Sequence, residues 1–111
     1  MADWKINYYN EAVFEKIETL PKKLLGKYGA ITNRMIEHGP ILGMPYVKAM
    51  KKGLYEIRLK SEEGIARVFF CIAVNSTIII LHSFIKKTQE TPKKELDLAI
   101  YRMKEVKNHE L

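Results

Sequence analysis

The stretch that decides the fold is GLYEIRLKSEEGIARVFFCIAVNSTIIILHSFI, residues 53–85. In its first part Tyr55, Ile57 and Leu59 alternate with Glu56, Arg58 and Lys60. That period of two puts apolar side chains on one face of a strand and polar ones on the other. Ser61-Glu62-Glu63-Gly64 is a polar turn whose glycine can take a positive φ. From Ala66 to Val74 the same period sets Val68, Phe70, Ile72 and Val74 on one face and Arg67, Phe69, Cys71 and Ala73 on the other. Asn75-Ser76 is short enough for a tight hairpin. Thr77 to Ile85 then divides into Ile79, Leu81, Ser83 and Ile85 against Ile78, Ile80, His82 and Phe84. Strands joined by such short turns are expected to form an antiparallel meander.

Upstream, Trp4 to Tyr9 is aromatic-rich and partly alternating, and reads as a short first strand. Asn10 offers a side-chain oxygen to the free amides of a helix start, and the helix to about Leu20 carries Val13, Phe14, Ile17 and Leu20 as its apolar stripe. Pro21 suits the first turn of a second helix, which shows Leu24, Leu25, Tyr28, Ile31, Met35 and Ile36 on one side and ends at Gly39-Pro40. Gly39, Pro40, Gly43 and Pro45 predict an irregular segment before residue 53. Downstream, Thr91-Pro92 opens a last helix whose buried stripe is Leu96, Ala99, Ile100, Met103 and Val106. The expectation is one α+β domain over residues 1–111, in the order β-α-α-β-β-β-α. It has a twisted, mainly antiparallel sheet, helices packed on one face, and the other face open for a site.

Composition narrows the function classes. The chain has 111 residues and 47% hydrophobic content, enough for one packed core. Its longest run of aliphatic residues, Ile78 to Leu81, is far short of the roughly 20 residues a membrane helix needs. No secretory leader is apparent at the start, and Cys71 is the only cysteine, so a reducing cytoplasmic setting without membrane association is expected. Nineteen basic residues against thirteen acidic ones give +6, which suits a polyanionic partner.

The strand pattern makes a geometric claim about where that charge gathers. Arg58 and Lys60 share the polar face of one strand, Arg67 lies on the same sheet face of its neighbour, and His82 and Phe84 join from the third. Lys86, Lys87 and Thr88 follow the last strand, while Lys48, Lys51 and Lys52 precede the first strand of the meander. Such a surface suits RNA: cations meet phosphates, the ring stacks on an unpaired base, and the imidazole moves protons. Taken singly, each residue also has an ordinary reading. Arg58 and Lys60 can be solvent-facing strand residues, His82 a hydrogen-bonded structural histidine, Phe84 a core ring, and Lys86-Lys87 a solubilising pair. His38, His82 and His109 lack zinc-ligand spacing, and there is no phosphate-binding glycine loop or serine-nucleophile elbow. No metal site or cofactor is therefore expected.

The segments GLYEIRLK (53–60), GIARVFFCI (64–72) and ILHSFIKKTQETP (80–92), with Glu95, Ala99 and Arg102 in the helix that follows, resemble the phage-derived, HigB-like branch of the RelE/ParE toxin superfamily. The F-x-K-K-T-x-x-T-P run at 84–92 is the most specific part. The resemblance implies a toxin of a type II toxin–antitoxin system: a metal-independent endoribonuclease that cuts messenger RNA on the ribosome by 2′-hydroxyl attack and so inhibits translation. It implies a HigA-like antitoxin partner with a helix-turn-helix domain, in a heterotetramer of two toxins and two antitoxins. Carried over by position, Arg58 and Arg67 would hold the scissile phosphate with help from Lys87; His82, whose ordinary pKa near ~6.5 already suits proton transfer, would be the preferred base or acid, with Lys86 its rival. Lys48, Lys51, Lys52, Lys60, Phe84 and Thr88 would position RNA. Glu56 stands where some RelE-like toxins have a lysine, and no tyrosine closes the last basic segment. A ParE-like inhibitor of DNA gyrase and a non-catalytic RNA-binding module are the alternatives.

Overall fold

The computed structural model describes residues 3–88 and 90–109, so Gln89 of the 84–92 run and the ends of the 1–111 span lie outside the described residues. The elements are β1 (Lys5–Tyr8), α1 (Glu11–Glu18), α2 (Lys22–His38), β2 (Val47–Lys51), β3 (Leu54–Ser61), β4 (Gly64–Ala73), β5 (Thr77–Ile85) and α3 (Lys93–His109). They form an α+β fold with one sheet in the order β1-β5-β4-β3-β2, antiparallel except where β1 runs parallel to β5.

Local signals in the sequence produce most of these elements. The Asn10 side chain accepts from Val13 N–H at 2.9 Å and starts α1. Gly39, at φ 96°, ends α2. Asn75 and Ser76, at φ 60° and 54°, make the primed turn that matches the twist of β4 and β5.

Three expectations need correction. First, residues 47–51 are a strand, so the meander has four strands and the order is β-α-α-β-β-β-β-α. β2 is an edge strand with only Val47 buried, and an edge strand needs little apolar periodicity to stay paired. Second, the helices do not share one face. Val13, Ile17, Leu24, Tyr28 and Met35 of α1 and α2 pack on Ile57, Leu59, Val68, Phe70, Ile78 and Ile80. On the reverse face, Ala99 and Met103 of α3 pack on Leu54, Phe69, Cys71 and Leu81. β4 is apolar on both faces at its centre, and both must be kept from water, so one layer of helices is not enough.

Third, β5 does not alternate throughout. Phe69 pairs with His82 but Phe70 pairs with Ile80, which leaves Leu81 as the extra residue of a bulge. Ile78 and Ile80 therefore face α1 and α2, while His82 and Phe84 lie on the reverse face with Phe69 and Arg67. The Leu81 carbonyl at the bulge accepts from Arg102 Nη1 at 2.8 Å, so the irregularity also ties β5 to α3.

Candidate functional site

α3 covers only part of the reverse face. Where it stops, the residues of β3 and β4 change from apolar to charged. Arg58 and Arg67 are direct cross-strand partners there, and Lys86 continues the β5 chain beside them, held by its N–H to the Ile65 carbonyl at 2.8 Å. With Pro45, Lys60, Ile65, Lys87 and Thr88 they line a cleft of about 770 Å³. Six residues singled out in the sequence thus meet: Arg58, Lys60, Arg67, Lys86, Lys87 and Thr88.

The cations are unequally placed. The Arg67 side chain is 7% exposed, and its Nη1 donates to the Ala66 carbonyl at 3.1 Å. Burial and the neighbouring Arg58 lower its pKa from the usual arginine value, against the pull of Glu56. Arg58 is more open, at 28%. The pKa of Lys86 is lowered, first by loss of solvent and then by Arg67, with Arg58 and Lys48 adding to the effect and Glu56 opposing it. Such a lysine gives up its proton more readily than a free one.

Glu56 is the residue that the sequence did not mark for a role. It is 1% exposed, and its Oε1 accepts from Arg58 Nη1 at 3.2 Å and stands 3.7 Å from Arg67 Nε. The available signal was its place two residues before Arg58 on the same strand face.

Other candidates lie outside this cleft. His82 is buried, and its Nε2 is 2.6 Å from Glu95 Oε1 on α3. It lines a separate cavity of about 160 Å³ with Ala12, Lys16, Leu98 and Arg102. Burial lowers its pKa more than the Glu95 hydrogen bond raises it, which favours the neutral ring. Phe84 is also buried, with its ring centroid 5.9 Å from that of Phe69 and 6.1 Å from that of His82. It lines a neighbouring depression of about 470 Å³ that shares Lys87 and Thr88 with the cleft. Lys48 pairs with Glu56 across β2 and β3 and so borders the cleft. Lys51 pairs with Leu54, four residues from Arg58 along β3, roughly 13 Å away at strand spacing, and Lys52 follows in the turn.

Among the described residues no cluster of three or more histidine, cysteine, aspartate or glutamate side chains is placed to hold a metal ion. None of their helices is long and apolar enough to cross a membrane.

The family model of phage-derived, Gp49-like proteins matches residues 15–104. The chain belongs to this Gp49-like family. The match takes in every cleft residue. No curated protein sequence matches the chain. Among solved structures, this Gp49-like chain is similar to one in the archaeal RelE–RelB complex from Pyrococcus horikoshii OT3. The TM-score is 0.57 at 18% identity, covering 77% of this chain and 96% of that one. It is also similar to a chain of the YoeB–YefM complex from Staphylococcus aureus, with a TM-score of 0.54 at 20% identity over 78% of this chain and 99% of the other. A heterotetrameric YoeB–YefM toxin–antitoxin complex from the same organism gives the same values. The phage-derived family and the RelE-like fold expected from residues 53–102 are thus both found, the first in the family match and the second in the similar structures.

Proposed function

We propose that this Gp49-like protein is the toxin of a toxin–antitoxin pair and acts as an endoribonuclease on messenger RNA. The observation that carries the reading is the meeting of Arg58, Arg67, Lys86 and Lys87 in one cleft beside a Glu56 carboxylate. Cleavage by the ribose 2′-hydroxyl passes through a pentavalent phosphorus with added negative charge, and prepositioned cations favour that state over the ground state. Arg67, fixed by burial and the Ala66 carbonyl, and Arg58 hold the phosphate. Lys86 takes the 2′-hydroxyl proton as the 2′-oxygen bonds to phosphorus. The bond to the 5′-oxygen breaks, and that oxygen takes a proton from Lys87. The products are a 2′,3′-cyclic phosphate and a 5′-hydroxyl.

His82, the imidazole favoured from the sequence, has no part in this scheme. Its ring is buried and its Nε2 is committed to Glu95, which supports a role in joining α3 to the sheet. Lys60 and Thr88 on the cleft, with Lys48 at its border, hold flanking phosphates. Lys51, Lys52 and Phe84 are not assigned RNA contacts.

The titles of the similar structures name RelB and YefM as partners of RelE and YoeB. By analogy this chain takes an antitoxin partner. The HigB-like resemblance extends that reading to a helix-turn-helix antitoxin, a heterotetramer, cleavage on the ribosome and a bacterial cytoplasm. The chemistry proposed needs no metal, so addition of EDTA is expected to leave cleavage unchanged.

The test is controlled expression in bacteria, following growth and messenger-RNA 3′ ends together. Arrest with new ends inside coding frames, both lost in Arg67→Ala, is the expected result. A drop in cleavage of about 10²- to 10³-fold is expected for losing one such transition-state donor. Arrest with intact transcripts and gyrase-dependent DNA damage would replace this reading with a ParE-like one. Soluble protein without arrest would leave a binding module.

A further inference from the structure

Arg58 and Arg67 sit directly opposite each other on β3 and β4, an arrangement that like charges disfavour. Glu56 lies on the same strand face as Arg58, with its side chain 2% exposed. Burying a carboxylate with arginine is a poor way to stabilise a fold, because desolvation offsets much of the attraction and apolar side chains of similar volume do as well or better. Position 56 nevertheless carries a carboxylate, with the fully buried Leu54 and Phe69 beside it on the same sheet face. Its acceptor pairing is also incomplete. Glu56 Oε2 and Arg67 Nε are both buried and have no hydrogen-bond partner among the described residues.

We propose that Glu56 is a positioning residue of the cleft: a buried counterion that holds the two guanidinium groups side by side and passes from Arg58 to Arg67 when a phosphate binds. This rests on the ribonuclease reading of the same site. Glu56 is too buried to touch substrate, so it acts through the arginines. Arg58 is the more exposed partner, at 28% against 7% for Arg67, and is the one an incoming phosphate can draw outward. Closing the 3.7 Å gap between Glu56 Oε1 and Arg67 Nε to hydrogen-bond length takes a shift of roughly 0.7 Å. The carboxylate then fixes Arg67 at the moment Arg58 is engaged. It also subtracts one charge from the cleft, so it opposes simple RNA binding while ordering the groups that serve the transition state.

That opposition gives the test a signature that loss of folding cannot imitate. Affinity for a short single-stranded 2′-O-methyl RNA and the cleavage rate on unmodified RNA, or on translating ribosomes, are measured for the wild type, Glu56→Gln and Glu56→Asp. Melting curves confirm the fold. Glu56→Gln is expected to bind RNA roughly threefold more tightly at low salt, because one negative charge leaves the cleft. Its kcat is expected to fall about tenfold or more, because the arginines lose their common anchor. Glu56→Asp keeps the charge and should retain wild-type affinity with part of the rate.

The pH profile adds a further readout. Lys86 is faced by Lys48 from β2, Glu56 and Arg58 from β3 and Arg67 from β4, and only Glu56 raises its pKa. Glu56→Gln should therefore shift the alkaline rise in rate to lower pH. Affinity and rate falling together, or neither changing, would overturn the proposal. If Glu56→Gln does not fold, a reduced rate at unchanged affinity in Glu56→Asp supports it and a wild-type rate overturns it. A wild type that binds RNA without cutting it would remove the ribonuclease reading, and the affinity of Glu56→Gln would still decide the counterion: tighter binding supports it and unchanged binding overturns it. A wild type that binds no RNA overturns both.

Discussion

Along β3 and β4, one sheet face is apolar at one end and charged at the other. Leu54, Phe69 and Cys71 lie beneath Ala99 and Met103 of α3, and the bulged Leu81 completes their packing. A few residues further along the same strands and on the same face come Glu56, Arg58 and Arg67, with Lys86 beside them. The β3–β4 register runs unbroken through both regions, so the difference lies in what covers it. Where a helix shields the sheet, burial of apolar area stabilises the fold. Where no helix follows, the side chains are cations that repel one another unless an anion joins them. The covered half supplies a rigid platform, and the open half uses that rigidity to hold charges in an order that an isolated strand could not maintain.

The largest expected effect comes from breaking the covered half. Phe69 is fully buried and packs against Phe84, and Phe69→Ala should destabilise the protein by about 3–5 kcal/mol. Urea unfolding measures this, and a loss below about 1 kcal/mol would mean that α3 collapses onto the gap or contributes little. Any cleavage activity should fall with it, because Arg67 stands two residues from Phe69 on the same face of β4.

Breaking the open half should affect chemistry and spare the fold. Lys86→Arg keeps the charge but replaces a group that can lose a proton with one that cannot. Cleavage is expected to drop about 10²-fold or more, the size typical of a lost general base, with RNA affinity little changed. In the wild type the rate should rise with pH as Lys86 deprotonates, reaching its plateau below the pH of an ordinary lysine because burial and the nearby cations lower its pKa. A pH-independent rate, or full activity in Lys86→Arg, would remove Lys86 as the base.

The seam between the halves gives a smaller effect. His82 is favoured in its neutral form by burial, so its folded pKa lies below the unfolded value near ~6.5. Its contribution is therefore fully present above that pH and is lost as pH falls through the folded value. Melting temperature is expected to decline over that acid range in the wild type, and to decline less in His82→Gln. An identical decline in both would place the acid sensitivity elsewhere.

The sequence was most informative where one face of a strand packs and the other does not. The alternation at 54–60 and 66–71 placed Arg58 and Arg67 on one face, and the register confirms it. It was least informative where pairing decides the geometry. A bulge at Leu81 depends on how β5 meets β4, and no residue in Ile78-Ile79-Ile80-Leu81 announces it. β2 was obscured because a lysine-rich edge strand is held by backbone hydrogen bonds along one side and needs few apolar residues. The side chosen by α3 was implicit in Phe69 and Cys71, apolar residues on the face expected to be open. His82 and Phe84 were placed on the correct face, but which residues would cover them depends on α3, beyond the reach of strand periodicity.

The most direct test of the open-half account is to follow amide chemical shifts while a short single-stranded 2′-O-methyl RNA is titrated into the protein. The expected result is salt-sensitive shifts concentrated at Arg58, Lys60, Arg67 and Lys86 to Thr88, with little change at Lys51, Lys52 or the exposed side of α3 around Tyr101. Shifts centred on α3 or the β2–β3 turn, with the cleft silent, would contradict it.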